Sequence, residues 1–139
     1  MTKIAINGYG RIGRNIVRVL RDRGHENLEL VAVNDLADPE DLFWLTQYDT
    51  ILGRYPGELE RTEKGFRIDG RDVAFFQEAD PTKLPWGELG VDLVIECTGI
   101  FTTGPKARAH LDATVGVPEP GAGDDAHVTD LHGLGAGIA

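Results

Sequence analysis

A short apolar segment, Ile4-Ala5-Ile6, runs straight into the glycine-spaced stretch Gly8-Tyr9-Gly10-Arg11-Ile12-Gly13, and this junction constrains the fold more than any other feature of the chain. An apolar period of helical spacing, a second apolar run and Asp35 follow it. Strand, glycine turn, helix, strand and acid in that order build a βαβ unit able to hold the pyrophosphate of a dinucleotide. Gly8 serves the tight turn out of the strand, Gly10 lets the backbone approach the pyrophosphate where a Cβ would collide, and Gly13 lets the helix pack closely on the sheet. The free N–H groups of the first helical turn and the helix dipole then favour phosphate charge without any side-chain cation. Asp35 lies 22 residues beyond Gly13, where the second strand returns an acid to the adenosine ribose. A carboxylate there accepts from the 2′- and 3′-hydroxyls and repels a 2′-phosphate, which favours NAD over NADP. A chance glycine turn followed by a solvated aspartate leaves the register of strand, helix and acid unexplained.

The elements beyond this unit extend it into an α/β, Rossmann-type doubly wound sheet, mostly parallel and incomplete. The first helix is expected from about Arg11 to Arg23, with Ile12, Ile16, Val17, Val19 and Leu20 on the sheet and Gly24 as its stop. Leu28 and the run Leu30 to Val33 read as a strand buried on both faces. Asp38-Pro39 starts a short helix, as a cap followed by proline in the first turn, with Leu42, Phe43 and Leu45 inward. Between Tyr55 and Gln77 short strands alternate with Glu63-Lys64-Gly65 and Asp69-Gly70, an antiparallel hairpin insertion. Val73 to Phe76 resumes the main sheet and Val91 to Ile95 forms the next buried strand, which places Thr98-Gly99 at its carboxyl end. In an open doubly wound sheet that edge binds ligands, so both residues are cofactor candidates, although a turn that merely ends a strand has the same position. A helix is expected from Pro105 to about Ala113.

The chain therefore divides into a domain over residues 1–113 and a tail over residues 114–139. The tail holds six glycines, two prolines, four acids and no Lys or Arg, and too little apolar area to offset its ordering entropy. It is expected to be disordered or partly ordered, with Thr114 to Val117 able to add a brief edge strand. Residues 1–24 carry six basic side chains against one acid; Arg18, Arg21 and Arg23 read as a solvated helix face. The net charge of −9 excludes nucleic acid and anionic membrane surfaces as natural partners. The single cysteine allows no internal disulfide, and no apolar run is long enough for a secretion signal or membrane span, so a cytoplasmic location is expected. His25, His110, His127 and His132 show no metal-ligand or triad spacing; no metal site is expected.

Several stretches together resemble the phosphorylating, NAD-linked glyceraldehyde-3-phosphate dehydrogenase family: Ile6 to Asn15, Val31 to Leu36, Gln47 to Arg54, Asp80 to Trp86 and Gly90 to Thr103. The resemblance implies that the backbone of Arg11 and Ile12 meets the pyrophosphate and that Asp35, with Asn34 beside it, serves the ribose. It further implies that Thr98 and Gly99 flank the cofactor near Phe101. Glu78-Ala79 matches the stretch lining the adenine pocket, where the family often has arginine at the position of Ala79. The family's catalytic Ser-Cys-Thr-Thr-Asn motif, its general-base histidine and its phosphate-binding second domain have no counterpart in this sequence, so no catalytic residue is assigned. Cys97 matches a strand-end position that is commonly serine and is expected to be buried and inert.

By resemblance the chain is the NAD-binding portion of an aldehyde-oxidising glycolytic enzyme, inactive by itself. The alternatives are a fragment that only binds NAD, and a non-functional truncated or frame-shifted remnant that matches the family to about Ala113 and is unrelated to it from Thr114 onward, for which the other two reading frames beyond codon 113 provide the check. Erythrose-4-phosphate dehydrogenase shares this cofactor domain and differs in the part not seen here. The family forms homotetramers largely through its second domain, an assembly not expected of this chain.

Overall fold

The computed structural model describes residues 1–24, 26–100, 104–113 and 127–130. Strand β1 (Thr2–Asn7) is followed by helix α1 (Arg11–Asp22), strand β2 (Leu28–Asn34) and helix α2 (Pro39–Gln47). A two-stranded hairpin, β3 (Tyr48–Asp49) and β4 (Gly53–Arg54), then precedes β5 (Leu59–Arg61), β6 (Gly65–Ile68) and β7 (Arg71–Phe76). A 3₁₀ turn at Pro81–Lys83 and the short helix α3 (Trp86–Leu89) lead to β8 (Leu93–Glu96), α4 (Gly104–Ala107), α5 (Ala109–Asp112) and β9 (His127–Asp130).

The main sheet has the order β5-β6-β7-β2-β1-β8-β9. Strands β7, β2, β1, β8 and β9 run parallel, and β5 and β6 join antiparallel at one edge. The Rossmann-type class expected from the sequence is thus the observed one, hairpin insertion included. Ala5 pairs with Ala32 and Ile6 with Val33, so the two-residue period sends alternate side chains to opposite faces. One face packs Ile6, Val17, Val33, Leu42 and Phe66 together; the other packs Ala5, Ala32, Leu84, Trp86 and Val94. Each fully buried aliphatic side chain of this set stabilises the fold by roughly 1.5–3 kcal/mol.

Local signals explain the element ends. The Asp38 carboxylate accepts from the Glu40 N–H at 2.8 Å, with Pro39 in the first turn. Asp69 and Gly70 both take positive φ, 50° and 81°, which is the geometry a two-residue hairpin turn between twisted strands requires.

The structure corrects several expectations. Helix α1 rests on the sheet through Gly13 and Val17, one turn apart, because the missing side chain at Gly13 makes that line the closest approach; Ile12 and Val19 turn outward. Helix α2 buries Leu42 and Thr46 for the same i, i+4 reason, leaving Leu45 exposed. Arg18 is not solvated: it is 9% exposed and its guanidinium donates to the carbonyls of Thr46 (3.3 Å) and Gly53 (2.8 Å) while standing over the Tyr55 ring. The β3–β4 hairpin, which the sequence reading did not name, supplies one of those acceptors. Arg21 pairs with Asp69 and also stands over Tyr55; Arg23 alone of the three matches a solvated face. The helix expected from Pro105 is broken at Arg108 into α4 and α5. The proposed edge strand at 114–117 lies outside the described residues, as do His25, Phe101 and His132, and β9 lies further along the tail, opposite β8.

The Asp69 cluster carries a pH dependence. Burial pushes the Asp69 carboxyl up, but hydrogen bonds from the Tyr55 hydroxyl, the Arg21 guanidinium and the Glu58 N–H outweigh it and hold the group below the usual carboxylate range. A depressed folded value means that the stabilisation is complete above the unfolded carboxylate's pKa and drains as pH falls through the folded one. Urea midpoints measured from about pH 6 down to about pH 3 are expected to fall less steeply in Asp69→Asn than in the parent. Equal slopes would remove Asp69 from the acid response.

Candidate functional site

The site grows from the carboxyl ends of β1, β2 and β8. The chain leaves β1 at Asn7 and turns at Gly8, whose φ is +93° and whose N–H donates to the Asn34 carbonyl at 2.8 Å. A Cβ built on Gly8 falls 2.6 Å from the Thr98 nitrogen and 2.7 Å from the Cys97 carbonyl carbon. A Cβ on Gly13 drives into the Gly8 carbonyl oxygen. Residues 8–13 are therefore seated directly on the end of β8, and this seating brings the glycine loop and the Thr98–Gly99 turn together.

Gly10 differs from both neighbours. It caps α1 with no side-chain hydrogen bond, its φ of −76° is open to any residue, and a Cβ there meets no atom of the described residues within 4 Å. Among the described residues nothing requires glycine at this position. The N–H groups of Arg11, Ile12 and Gly13 meet no acceptor among the described residues, and the first helical turn carries no acid. Bare donors at the positive end of a 12-residue helix are suited to holding an anion. Arg14 braces the loop from behind, its guanidinium donating to the Tyr9 carbonyl at 3.1 Å. Beneath it Tyr9 is fully buried, its hydroxyl bonded to that of Thr46, and burial pushes its pKa up to about 12, so it stays neutral.

Asp35 stands at the end of β2, half-buried, beside the glycine loop. One carboxylate oxygen accepts from the Tyr9 N–H at 2.7 Å and the other from the Ala37 N–H at 2.9 Å. Asn34 faces the other way: its amide donates to Asn7 Oδ1 (2.7 Å) and the Glu78 carbonyl (2.9 Å) and accepts from the Glu78 N–H. Its side chain thus fastens the segment bearing Ala79 to the strand ends, and Ala79 itself is exposed. Thr98 is half-buried, and Gly99 is exposed with φ +75°. Cys97 is 6% exposed, buried as expected.

Sequence reasoning missed the polar group beneath this edge. Glu96 and His110 are both 0% exposed, with Glu96 Oε2 2.7 Å from His110 Nε2 and 2.7 Å from Asn7 Nδ2. Burial pushes the Glu96 carboxyl up, yet hydrogen bonds from His110, Thr98 and Asn7 prevail and hold it below its usual range, hence ionised. An acid inside the apolar run Leu93-Val94-Ile95-Glu96-Cys97 was the available signal, because a buried carboxylate demands partners.

A cavity of about 370 Å³ lies elsewhere, at the far end of α1, between Leu20, Leu30, Tyr55, Ile68 and Val73. Its walls mix those apolar side chains with Arg21, Glu26, Asp69 and Arg71, and it lies at the opposite end of β2 from Asp35 and the glycine loop. Among the described residues no cluster of His, Cys, Asp and Glu could hold a metal ion, and no helix is long and apolar enough to cross a membrane.

A five-stranded parallel array, a glycine turn seated on its central strands and an undecorated helix terminus define a dinucleotide-binding domain of the Rossmann type. The family model "Glyceraldehyde 3-phosphate dehydrogenase, NAD binding domain" matches residues 2–104. The chain belongs to the glyceraldehyde-3-phosphate dehydrogenase family, of which it carries the NAD-binding domain. It is 46% identical over 140 aligned positions to the plasmid-encoded glyceraldehyde-3-phosphate dehydrogenase of Cupriavidus necator, covering 98% of this chain and 41% of that protein. With the Thermotoga maritima enzyme of the same name it shares 44% over 128 positions, 90% of this chain and 38% of the relative; with that of Clostridium pasteurianum, 54% over 114 positions, 81% and 33%. The likeness to the Cupriavidus protein runs past Ala113, further than the sequence motifs alone carried it. The chain spans about two fifths or less of the length of these relatives.

Proposed function

We propose that this chain supplies the NAD-holding part of a dehydrogenase that oxidises glyceraldehyde 3-phosphate, and that by itself it binds NAD without turning it over. The observation that carries the binding reading is the pair of facts at the glycine loop: among the described residues, the N–H groups at the α1 terminus have no acceptor and nothing requires glycine at position 10. In this reading the pyrophosphate rests on the backbone of Gly10, Arg11 and Ile12, with Gly8 and Gly13 shaping the loop. Asp35 takes the ribose hydroxyls, the residue 78–79 segment held by Asn34 borders the adenine, and Thr98 and Gly99 flank the other end. Bound NAD supplies a hydride acceptor. The chain's one cysteine is buried at the end of β8, which supports the absence of catalysis, since a thioester-forming thiolate needs access and a paired base. We further propose a cytoplasmic setting and no family-type tetramer for this chain alone.

Calorimetry with NAD, together with an NADH assay in the presence of glyceraldehyde 3-phosphate and phosphate, tests both halves. Saturable binding without NADH production is the expected outcome; no binding, or turnover above background, rejects one half or the other. Asp35→Ala is expected to weaken NAD binding about tenfold or more, as loss of hydrogen bonds to a charged group implies, and to narrow the preference for NAD over NADP. An unchanged preference would take the ribose away from Asp35.

A further inference from the structure

We infer that Glu96 is a positioning residue for the cofactor edge, acting through Thr98; the inference rests on the NAD reading above. Its carboxylate stands between two sets of donors. Oε1 accepts from the Thr98 N–H at 2.8 Å and from the Thr98 hydroxyl at 2.5 Å. Oε2 meets Asn7 Nδ2 and His110 Nε2, each at 2.7 Å.

The partners behind His110 fix which proton goes where. An indole nitrogen can only donate, so Trp86 Nε1, 3.2 Å from His110 Nδ1, requires a lone pair there. The proton of the neutral imidazole must then sit on Nε2, aimed at Glu96. Asn7 is oriented in the same manner, because its Oδ1 accepts from Asn34 and leaves only its NH₂ to face the carboxylate. Four donor groups thus converge on one side chain, and an ionised carboxylate is the acceptor that satisfies all of them. The same carboxylate grips Thr98 twice, and Thr98 is the residue whose backbone nitrogen lies where a Cβ of Gly8 would fall. Glu96 therefore holds the surface on which the pyrophosphate loop is seated, and it does so before any ligand arrives.

Glutamine has the same shape and fails by its chemistry. With its NH₂ toward Thr98 it faces the backbone N–H, donor against donor. With its NH₂ toward His110 it forces the other tautomer, and Nδ1–H then opposes the Trp86 N–H. Each orientation frees the Thr98 turn or strains its support.

The test is a double-mutant cycle in NAD affinity on the parent, Glu96→Gln, Thr98→Val and the double variant, with urea midpoints recorded alongside. Each single change is expected to raise Kd about tenfold. The double variant is expected to stay near that value, roughly tenfold to twentyfold, since both remove one linkage, whereas independent losses multiply to about a hundredfold. Thr98→Ser is expected to recover most of the affinity lost in Thr98→Val, and amide exchange at Thr98 to be faster in Glu96→Gln than in the parent. Full multiplicativity, or a Glu96→Gln protein with a lowered midpoint and unaltered NAD affinity, overturns the inference and leaves the cofactor reading standing. A parent protein that takes up no NAD overturns both. Should Glu96→Gln not fold, the Thr98→Val and Thr98→Ser pair decides: unaltered affinity in Thr98→Val overturns the inference.

Discussion

Gly8→Ala is expected to lose about 3 kcal/mol or more of folding stability, enough to lower the unfolding midpoint by roughly 10 °C in a domain of this size. Two costs combine at this position. The φ of +93° is one that a Cβ-bearing residue adopts only under strain, and the added Cβ falls 2.6 Å from the Thr98 nitrogen, a backbone atom that no rotamer change can move aside. The loop cannot back away cheaply either, because the Gly8 N–H is bonded to the Asn34 carbonyl. Thermal or urea unfolding reads the effect directly. A midpoint within about 2 °C of the parent, well under 1 kcal/mol, would show that the loop is not seated on the end of β8.

Two residues further on, the balance between fold and ligand reverses. Gly10→Ala and Gly10→Val are expected to move the unfolding midpoint little, since the backbone angle is open to L residues, a Cβ meets nothing among the described residues within 4 Å, and loss of a glycine cap costs under ~1 kcal/mol. NAD affinity is expected to fall stepwise, with valine about a hundredfold or more below the parent, because a side chain occupies the ground the pyrophosphate must reach. Calorimetric titration of both variants checks it. Undiminished affinity in Gly10→Val would place the pyrophosphate elsewhere. These outcomes would separate a glycine demanded by the fold at Gly8 from one demanded by the ligand at Gly10, in a motif where sequence shows the two alike.

The parts legible in the sequence were those whose cause is local. The apolar run before Gly8, the period that ends at Gly24, the Asp38-Pro39 cap and the Asp69-Gly70 turn each state their structure within a few residues, and the Rossmann-type array followed from their order. What stayed hidden depends on distant partners. Arg18 looks solvated until the β3–β4 hairpin supplies a carbonyl acceptor 35 residues away. Asn34 reads as a neighbour of Asp35 on the ribose side until the residue 78 backbone closes on its amide and turns its side chain the other way. The Glu96–His110 pair joins a strand to a helix 14 residues later through a contact no periodicity announces. β9 pairs in parallel with β8, a partner 34 residues away in the chain that the short stretch His127 to Asp130 does not announce.

One side chain in this edge serves two masters. Because both oxygens of Asp35 are already tied to main-chain N–H groups of the loop and of residue 37, the charge has no freedom to swing aside for a bulkier anionic sugar. Under the ribose role proposed for Asp35, cofactor choice is coupled to loop architecture: Asp35→Ala is expected to free the Tyr9 N–H and loosen the loop at the same time as it narrows the preference for NAD.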